Sequence, residues 1–245
     1  MDNNYIHELN EYKNILFSPR GIDGIMYLKK RNITPDTAKF WNMGFCPKDY
    51  MPECYRNSSF RQWKKMQGRI IFPVFDQFGN LIAMSGRTVF NESPKYIHYQ
   101  FPTRKTLFGL YQNKDNIFND NMIFFVEGQL DVITAWQKGF RNCVCTFGSH
   151  FSSEQIAYAS RYCSNIGILY DNDEAGKSGA ETSFGKLKNV NHLNIKIFQN
   201  IFPENDDVDS WISKGGDFSR LKSQFFRKSY DTLEILKNRL SNLPE

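Results

Sequence analysis

The sequence predicts an α/β fold: a largely parallel sheet with helices on both faces, preceded by a basic α+β subdomain and followed by a short helical tail. Three observations carry this. Residues 122–198 alternate short Phe-, Val- and Ile-rich runs with segments of helical period. The residues before 119 instead hold capped helices and a hairpin. Charge divides at the same place: residues 1–118 carry 17 Lys and Arg against 10 Asp and Glu, and residues 119–245 carry 14 against 16, so the two parts stand at +7 and −2. The expected domains are 1–118, 119–205 and 206–245, the last an acidic loop with a helical segment.

In the first part, Ile6–Phe17 and Gly24–Lys30 read as helices, and Thr34 before Pro35 opens a third. Arg69–Phe75 reads as a strand in which Pro73 marks an edge or an irregularity. Gln77–Asn80 is a turn and Leu81–Ser85 the returning strand. A hairpin centred on Phe78 sets Arg69 opposite Arg87. Two facing arginines repel unless water or an anion lies between them. Solvation at a strand end would do this, and so would a phosphate, which a guanidinium grips in bidentate fashion. Ser93–Tyr96 then offers Lys95 and Tyr96 in an extended segment, and Arg104 and Lys105 precede Leu107–Tyr111. Cations interleaved with aromatics suit a single-stranded nucleic-acid groove, although most of the 22 Phe and 12 Tyr must be core.

In the second part, Met122–Val126, Cys143–Phe147, Ile166–Tyr170 and Ile195–Phe198 read as strands. Gln129–Gly139, a helix from the capping box at Ser152–Gln155 to about Cys163, and Ala175–Leu187 read as helices. In open parallel sheets ligands bind beyond the carboxyl ends of the strands. Glu127 stands at the end of the first strand and Asp171 at the end of the third, so neighbouring strands would turn both carboxylates onto one site. Asp131 falls in the first turn of a helix, where it either complements the dipole or joins that site. Asp171 and Asp173 share one short loop and repel each other, and a bound cation relieves this.

No apolar run is long enough to span a bilayer, and Met1–Tyr5 lacks the features of a signal peptide. The five cysteines form no C-x-x-C pair and the four histidines are scattered, so no zinc site is expected and the cysteines read as core residues in a reducing cytosol.

The series Glu127-Gly128-x-x-Asp131, Asp171-x-Asp173-x-x-Gly176 and Asp207-x-Asp209 resembles the TOPRIM domain, found in primases, topoisomerases and some nucleases. The segments Tyr27–Ile33, Gly44-Phe45, Arg69–Val74, Ser85-Gly86-Arg87, Pro94-Lys95-Tyr96 and Leu107–Tyr111 follow one another in an order that resembles the RNA polymerase core of bacterial DnaG-type primases, over about residues 5–225. That resemblance implies metal binding by Glu127, Asp171 and Asp173, an acidic cluster completed by Asp131, Asp207 and Asp209, and a template-holding face of Arg69, Arg87 and Lys95. The family's acidic loop usually has Gly and a basic residue where this chain has Asn172 and Glu174. The family's zinc module is not found in this sequence, and only Phe218–Leu240 remains for its helicase-binding helices. Frequent Asn, Lys, Phe and Ile suit an AT-rich genome such as a phage's.

The implied function is RNA primer synthesis on single-stranded DNA from nucleoside triphosphates, in the cytoplasm, with two Mg2+ or Mn2+ ions. Glu127, Asp131, Asp171 and Asp173 would be catalytic, and Asp207 and Asp209 further metal ligands. Arg69, Arg87, Lys95, Tyr96 and Lys105 would hold template or nucleotide, with a replicative helicase and a zinc-containing reader as partners in trans. Two alternatives stand beside this: a TOPRIM nuclease, and a template-binding replisome module without catalysis.

Overall fold

The computed structural model describes residues 3–57, 59–148, 151–187, 193–198, 208–217 and 221–223. Two four-stranded sheets organise them.

The first sheet is antiparallel, in the order β1 (Gly44–Cys46), β2 (Arg69–Phe75), β3 (Leu81–Thr88), β4 (Tyr96–His98). Three helices precede it: α1 (Asn3–Leu16), α2 (Ile22–Lys30) and α3 (Pro35–Phe40). As its sequence predicts, α3 starts on Thr34, whose Oγ1 accepts the Thr37 N–H at 3.2 Å. Pro73 is tolerated in an inner strand because β1 ends opposite Ile71, so β2 is locally an edge where the ring removes its N–H.

The hairpin register differs from the sequence-based expectation. Val74 pairs Ala83 while Phe75 pairs Leu81, so Ile82 is an extra residue, a β-bulge. From there outward every pair shifts by one: Arg69 faces Thr88, and Arg87 faces Ile70. A one-residue slip reverses the faces, so the two arginines lie on opposite sides of the sheet and do not repel.

One buried carboxylate ties α1 to this subdomain. Glu8 is fully buried and accepts hydrogen bonds from the hydroxyls of Tyr12 (2.7 Å), Tyr55 (3.0 Å) and Tyr99 (2.5 Å). Burial pushes its pKa up to about 7, against the lowering pull of the three hydroxyls.

The second sheet is parallel, in the order β6 (Cys143–Cys145), β5 (Met122–Val126), β7 (Asn165–Ile168), β8 (Asn194–Ile197). Its helices are α4 (Leu110–Asp120), α5 (Gln129–Gln137), α6 (Ser153–Ala159) and α7 (Glu174–Leu187), followed by α8 (Val208–Ser213). Side chains alternate along β5. Met122, Phe124 and Val126 pack with Leu130 and Ile133 of α5 and with Val208 and Ile212 of α8. Ile123 and Phe125 pack with Ile117 of α4, Ile156 and Ala159 of α6 and Ala180 of α7. A strand buried on both faces reads as a continuous apolar run, and helices cover both sides. Helix α6 stops at Ala159, before the Cys163 its sequence predicts.

Helix α4 is an element the hydrophobic pattern hides, since it is largely polar; Gly109 (φ 88°) and Asn121 (φ 47°) bracket it in left-handed conformations. No helix among the described residues is long and apolar enough to cross a membrane. Cys46, Cys143, Cys145 and Cys163 are buried free thiols, and burial raises the pKa of each. Residues 218–220 and 224–240 of the expected C-terminal helical segment lie outside the described residues.

Candidate active site

Strands β5 and β7 are hydrogen-bonded neighbours, and each ends in an acidic turn on the same side of the sheet. The Leu169 N–H donates to the Phe125 carbonyl at 2.8 Å, which carries the pairing up to the turns. Beyond it, the Asp171 N–H donates to Glu127 Oε1 at 3.1 Å, so Glu127 and Asp171 meet. Gly176 is what lets them approach: a Cβ there would lie 2.2 Å from the Asp171 carbonyl oxygen and 2.7 Å from Glu127 Oε1.

Asp173 caps α7, its Oδ1 accepting the Gly176 N–H at 2.7 Å. Glu174 then opens the helix, exposed, where a negative charge complements the dipole. Asp131 is buried in the first turn of α5, and its Oδ2 accepts the Gly128 N–H at 2.9 Å. Its helix role is therefore realised, and it fixes the turn just after Glu127. Asp207 lies outside the described residues, as does the Asp209 side chain, although Asp209 itself belongs to α8. Among the described residues, no three His, Cys, Asp or Glu side chains gather closely enough to hold a metal ion. Glu127 and Asp171 form the assembled pair.

Tyr170 adjoins Asp171, but its ring is buried against Phe151 and its pKa is raised, by burial first and then by the Glu127 charge. It is held as a neutral phenol and is a poor nucleophile.

The basic residues divide into different roles. Arg69 is 6% exposed; its Nε donates to the Lys65 carbonyl (3.0 Å), and its Nη1 donates to the carbonyls of Pro94 and Lys95 (both 3.1 Å). It clasps the backbone that carries Lys95 and does not face Arg87 across a phosphate, which corrects the pairing expected from the sequence. Arg87 is half-buried; its Nε donates to Tyr27 Oη at 2.5 Å and its Nη1 to Tyr96 Oη at 2.7 Å. Its guanidinium carbon lies 4.9 Å from the Tyr96 ring centre. Lys95 is exposed. Lys105 is elsewhere, on a 3₁₀ turn (Thr103–Lys105), lining a groove of about 120 Å3 with Asp76, Phe78 and Tyr158.

Two bridges join the basic sheet to the acidic one. The Tyr96 hydroxyl and Asp131 Oδ2 both lie beside Gly128, 3.7 and 3.1 Å from where its Cβ would stand. The Gln129 side-chain amide donates to Ser85 Oγ at 3.2 Å, and Ser85 is hydrogen-bonded to His98 Nδ1 at 2.9 Å. The start of α5 is thus held by β3 and β4.

Charge and aromatic patterning do not mark Tyr27 and Arg31 as site residues. Arg31 lies over the Tyr27 ring at 5.8 Å, and both line a pocket of about 370 Å3 with Met26, Lys30 and Phe90. The available signal was their place in the ordered N-terminal series.

Two family models match the chain: "DNA primase catalytic core, N-terminal domain" over residues 52–114 and "Toprim-like" over residues 124–212. Similar curated proteins include the DNA primases of Enterococcus faecalis (28% identical, 84% of this chain) and Buchnera aphidicola (29% identical, 78% of this chain). The chain spans 37% of the length of each. Among solved structures, a DNA primase domain from Pseudomonas aeruginosa superposes with a TM-score of 0.77 at 27% identity, covering 88% of this chain and 75% of that one. A DnaG primase catalytic domain bound to ssDNA matches with a TM-score of 0.77 at 21% identity, over 92% of this chain and 81% of that one, a likeness of fold. By these matches and by its two sheets, the chain is similar in sequence and fold to the DnaG-type primase catalytic cores, with a match to their N-terminal core domain followed by a match to a Toprim-like domain.

Proposed function

We propose that this chain synthesises RNA primers on single-stranded DNA from nucleoside triphosphates. The observation that carries the proposal is the meeting of Glu127 and Asp171 at adjacent parallel strand ends, with Arg87 and Tyr96 of the basic sheet at the start of α5 beside them. A relative of the same fold was solved with ssDNA bound, which supports a single-stranded template here.

Toprim domains in primases use divalent metal, and the chemistry of the Glu127 and Asp171 donors suits one, with the remaining ligands to come from beyond the pair that the described residues assemble. The donors are carboxylate oxygens, the kind a hard cation takes, and the absence of a side chain at Gly176 lets the Glu127 and Asp171 turns come together. Glu127 and Asp171 would hold the metal, Mg2+ or Mn2+, with Asp173, Asp207 and Asp209 as further ligands and two ions as the working number. When bound, such ions neutralise phosphate charge and lower the pKa of a coordinated hydroxyl.

The chain's own residues account for the rest. The primer 3′-hydroxyl gives up its proton to water as its oxygen forms a bond to the α-phosphorus of the incoming nucleotide, the bond from that phosphorus to the α–β bridging oxygen breaks, and pyrophosphate leaves with the electron pair. Arg87 and Lys95 hold phosphates, and Asp131 keeps the Glu127 turn in place through Gly128. No covalent enzyme intermediate is needed, in keeping with the neutral, buried Tyr170.

The domain division at 118/119 and 205/206, a cytoplasmic setting, and a helicase and zinc-containing reader as partners belong to the same proposal. The test is incubation with single-stranded DNA, labelled nucleotides and Mg2+ or Mn2+. RNA product supports it; DNA cleavage would make the chain a nuclease, and binding without chemistry a replisome module.

A further inference from the structure

Arg87 is held in an unusual way. Most arginines on a nucleic-acid face are long, mobile cations that lose rotamer freedom on binding. Here the Nε–H donates to the Tyr27 hydroxyl at 2.5 Å and Nη1 donates to the Tyr96 hydroxyl at 2.7 Å. Both rings also lie under the guanidinium, with centres 6.0 and 4.9 Å from its carbon. The two phenols come from different elements, α2 and β4, so the fork is fixed from two directions. Nη2 has no hydrogen bond to any described residue. A guanidinium with Nε and one N–H of Nη1 taken by neutral acceptors keeps its full charge, and both N–H groups of Nη2 are left for an anion.

We propose that Tyr27 and Tyr96 are positioning residues: their hydroxyls pre-orient Arg87 so that Nη2 meets one phosphate of single-stranded nucleic acid. This assigns Tyr96 a role through Arg87 in place of the direct strand contact expected from sequence. It rests on the template-binding reading above. Pre-organisation raises affinity by removing an ordering cost, not by adding charge. Losing a hydroxyl should therefore weaken binding without changing how many phosphates are neutralised.

The experiment is fluorescence anisotropy of a labelled oligo-dT strand with the full chain across a salt series. The proteins are wild type, Arg87→Ala, Arg87→Lys, Tyr27→Phe/Tyr96→Phe and the corresponding triple variants, with thermal melts to check folding. Arg87→Ala should weaken binding and flatten the slope of log K against log salt by about one, the value for one phosphate contact. The double phenylalanine variant should weaken binding about three- to tenfold, an ordering effect of one long side chain, with its slope unchanged. Combined with Arg87→Ala or Arg87→Lys, it should cause no further loss. The clamp is overturned if the phenylalanine variant binds as wild type does, or if its loss multiplies with that of Arg87→Ala. If Arg87→Ala itself binds as wild type does, Arg87 holds no phosphate and the template reading of this face fails with the clamp.

Discussion

Gly176→Ala is the sharpest perturbation of the acidic pair. An added Cβ would sit 2.2 Å from the Asp171 carbonyl oxygen, and contacts under 3.0 Å essentially never occur, so helix α7 and the Asp171 turn must part by about 0.8 Å. The same Cβ would lie 2.7 Å from Glu127 Oε1, so the carboxylate must swing away as well. Overpacking of this kind costs about 1–3 kcal/mol of stability. Moving α7 also strains the Gly176 N–H bond to Asp173, whose loss adds about 1 kcal/mol. A misplacement of roughly 1 Å among reacting groups costs on the order of 100-fold in rate. The control lies in the same helix: at Gly185 an added Cβ meets nothing within 4 Å. Gly185→Ala should stabilise the chain by about 0.5–1 kcal/mol and leave activity alone. Primer-extension rates and melting curves of both variants decide the matter. If Gly176→Ala retains wild-type extension, the close approach of Glu127 and Asp171 is irrelevant to chemistry and the site has been misread.

Other outcomes follow from the same geometry. Asp171→Asn or Asp173→Asn should abolish RNA synthesis while single-stranded DNA binding is kept or tightened, since negative charge near phosphate is removed; near-normal synthesis by either variant counts against the assignment. Lys95→Ala should flatten the salt dependence of DNA binding by about one, and an unchanged slope removes Lys95 from the template face. Glu8 links stability to pH. Its folded pKa of about 7 lies above the ordinary 4.5, so its favourable contribution is complete below about pH 4.5 and falls as pH rises to 7. That interval corresponds to about 3 kcal/mol. In denaturant melts from pH 4.5 to 8, Glu8→Gln should lack this decline, so the decline appears in the difference between wild type and variant, and a parallel pH profile would show that the tyrosine cage does not hold a titrating carboxyl.

Much of the fold was legible because local pattern and tertiary role agree. The run Met122–Val126 is apolar throughout and is buried on both faces. Ser152 and Gln155 spell a capping box and form one. The placing of Glu127 and Asp171 needed one condition, neighbouring strands, and the β5–β7 pairing meets it. What stayed hidden depends on contacts that sequence spacing does not encode. The bulge at Ile82 leaves no mark in the alternation of β3, yet it moves Arg69 and Arg87 to opposite faces. The cage around Glu8 draws on residues 12, 55 and 99, and the clamp on Arg87 on residues 27 and 96. Asp173 reads from the sequence only as an acid of the expected cation site, and its hydrogen bond to the Gly176 N–H makes it a helix cap.

The most direct measurement of the central claim is template-directed extension of a dinucleotide by the chain in Mg2+ or Mn2+, run beside Asp171→Asn. A supplied 3′-hydroxyl removes the entropic cost of assembling two free nucleotides and isolates the chemistry of the acidic site. The account predicts RNA whose sequence is complementary to the DNA template from the wild-type chain and none from the variant. Product that ignores the template, or equal product from both proteins, would contradict it.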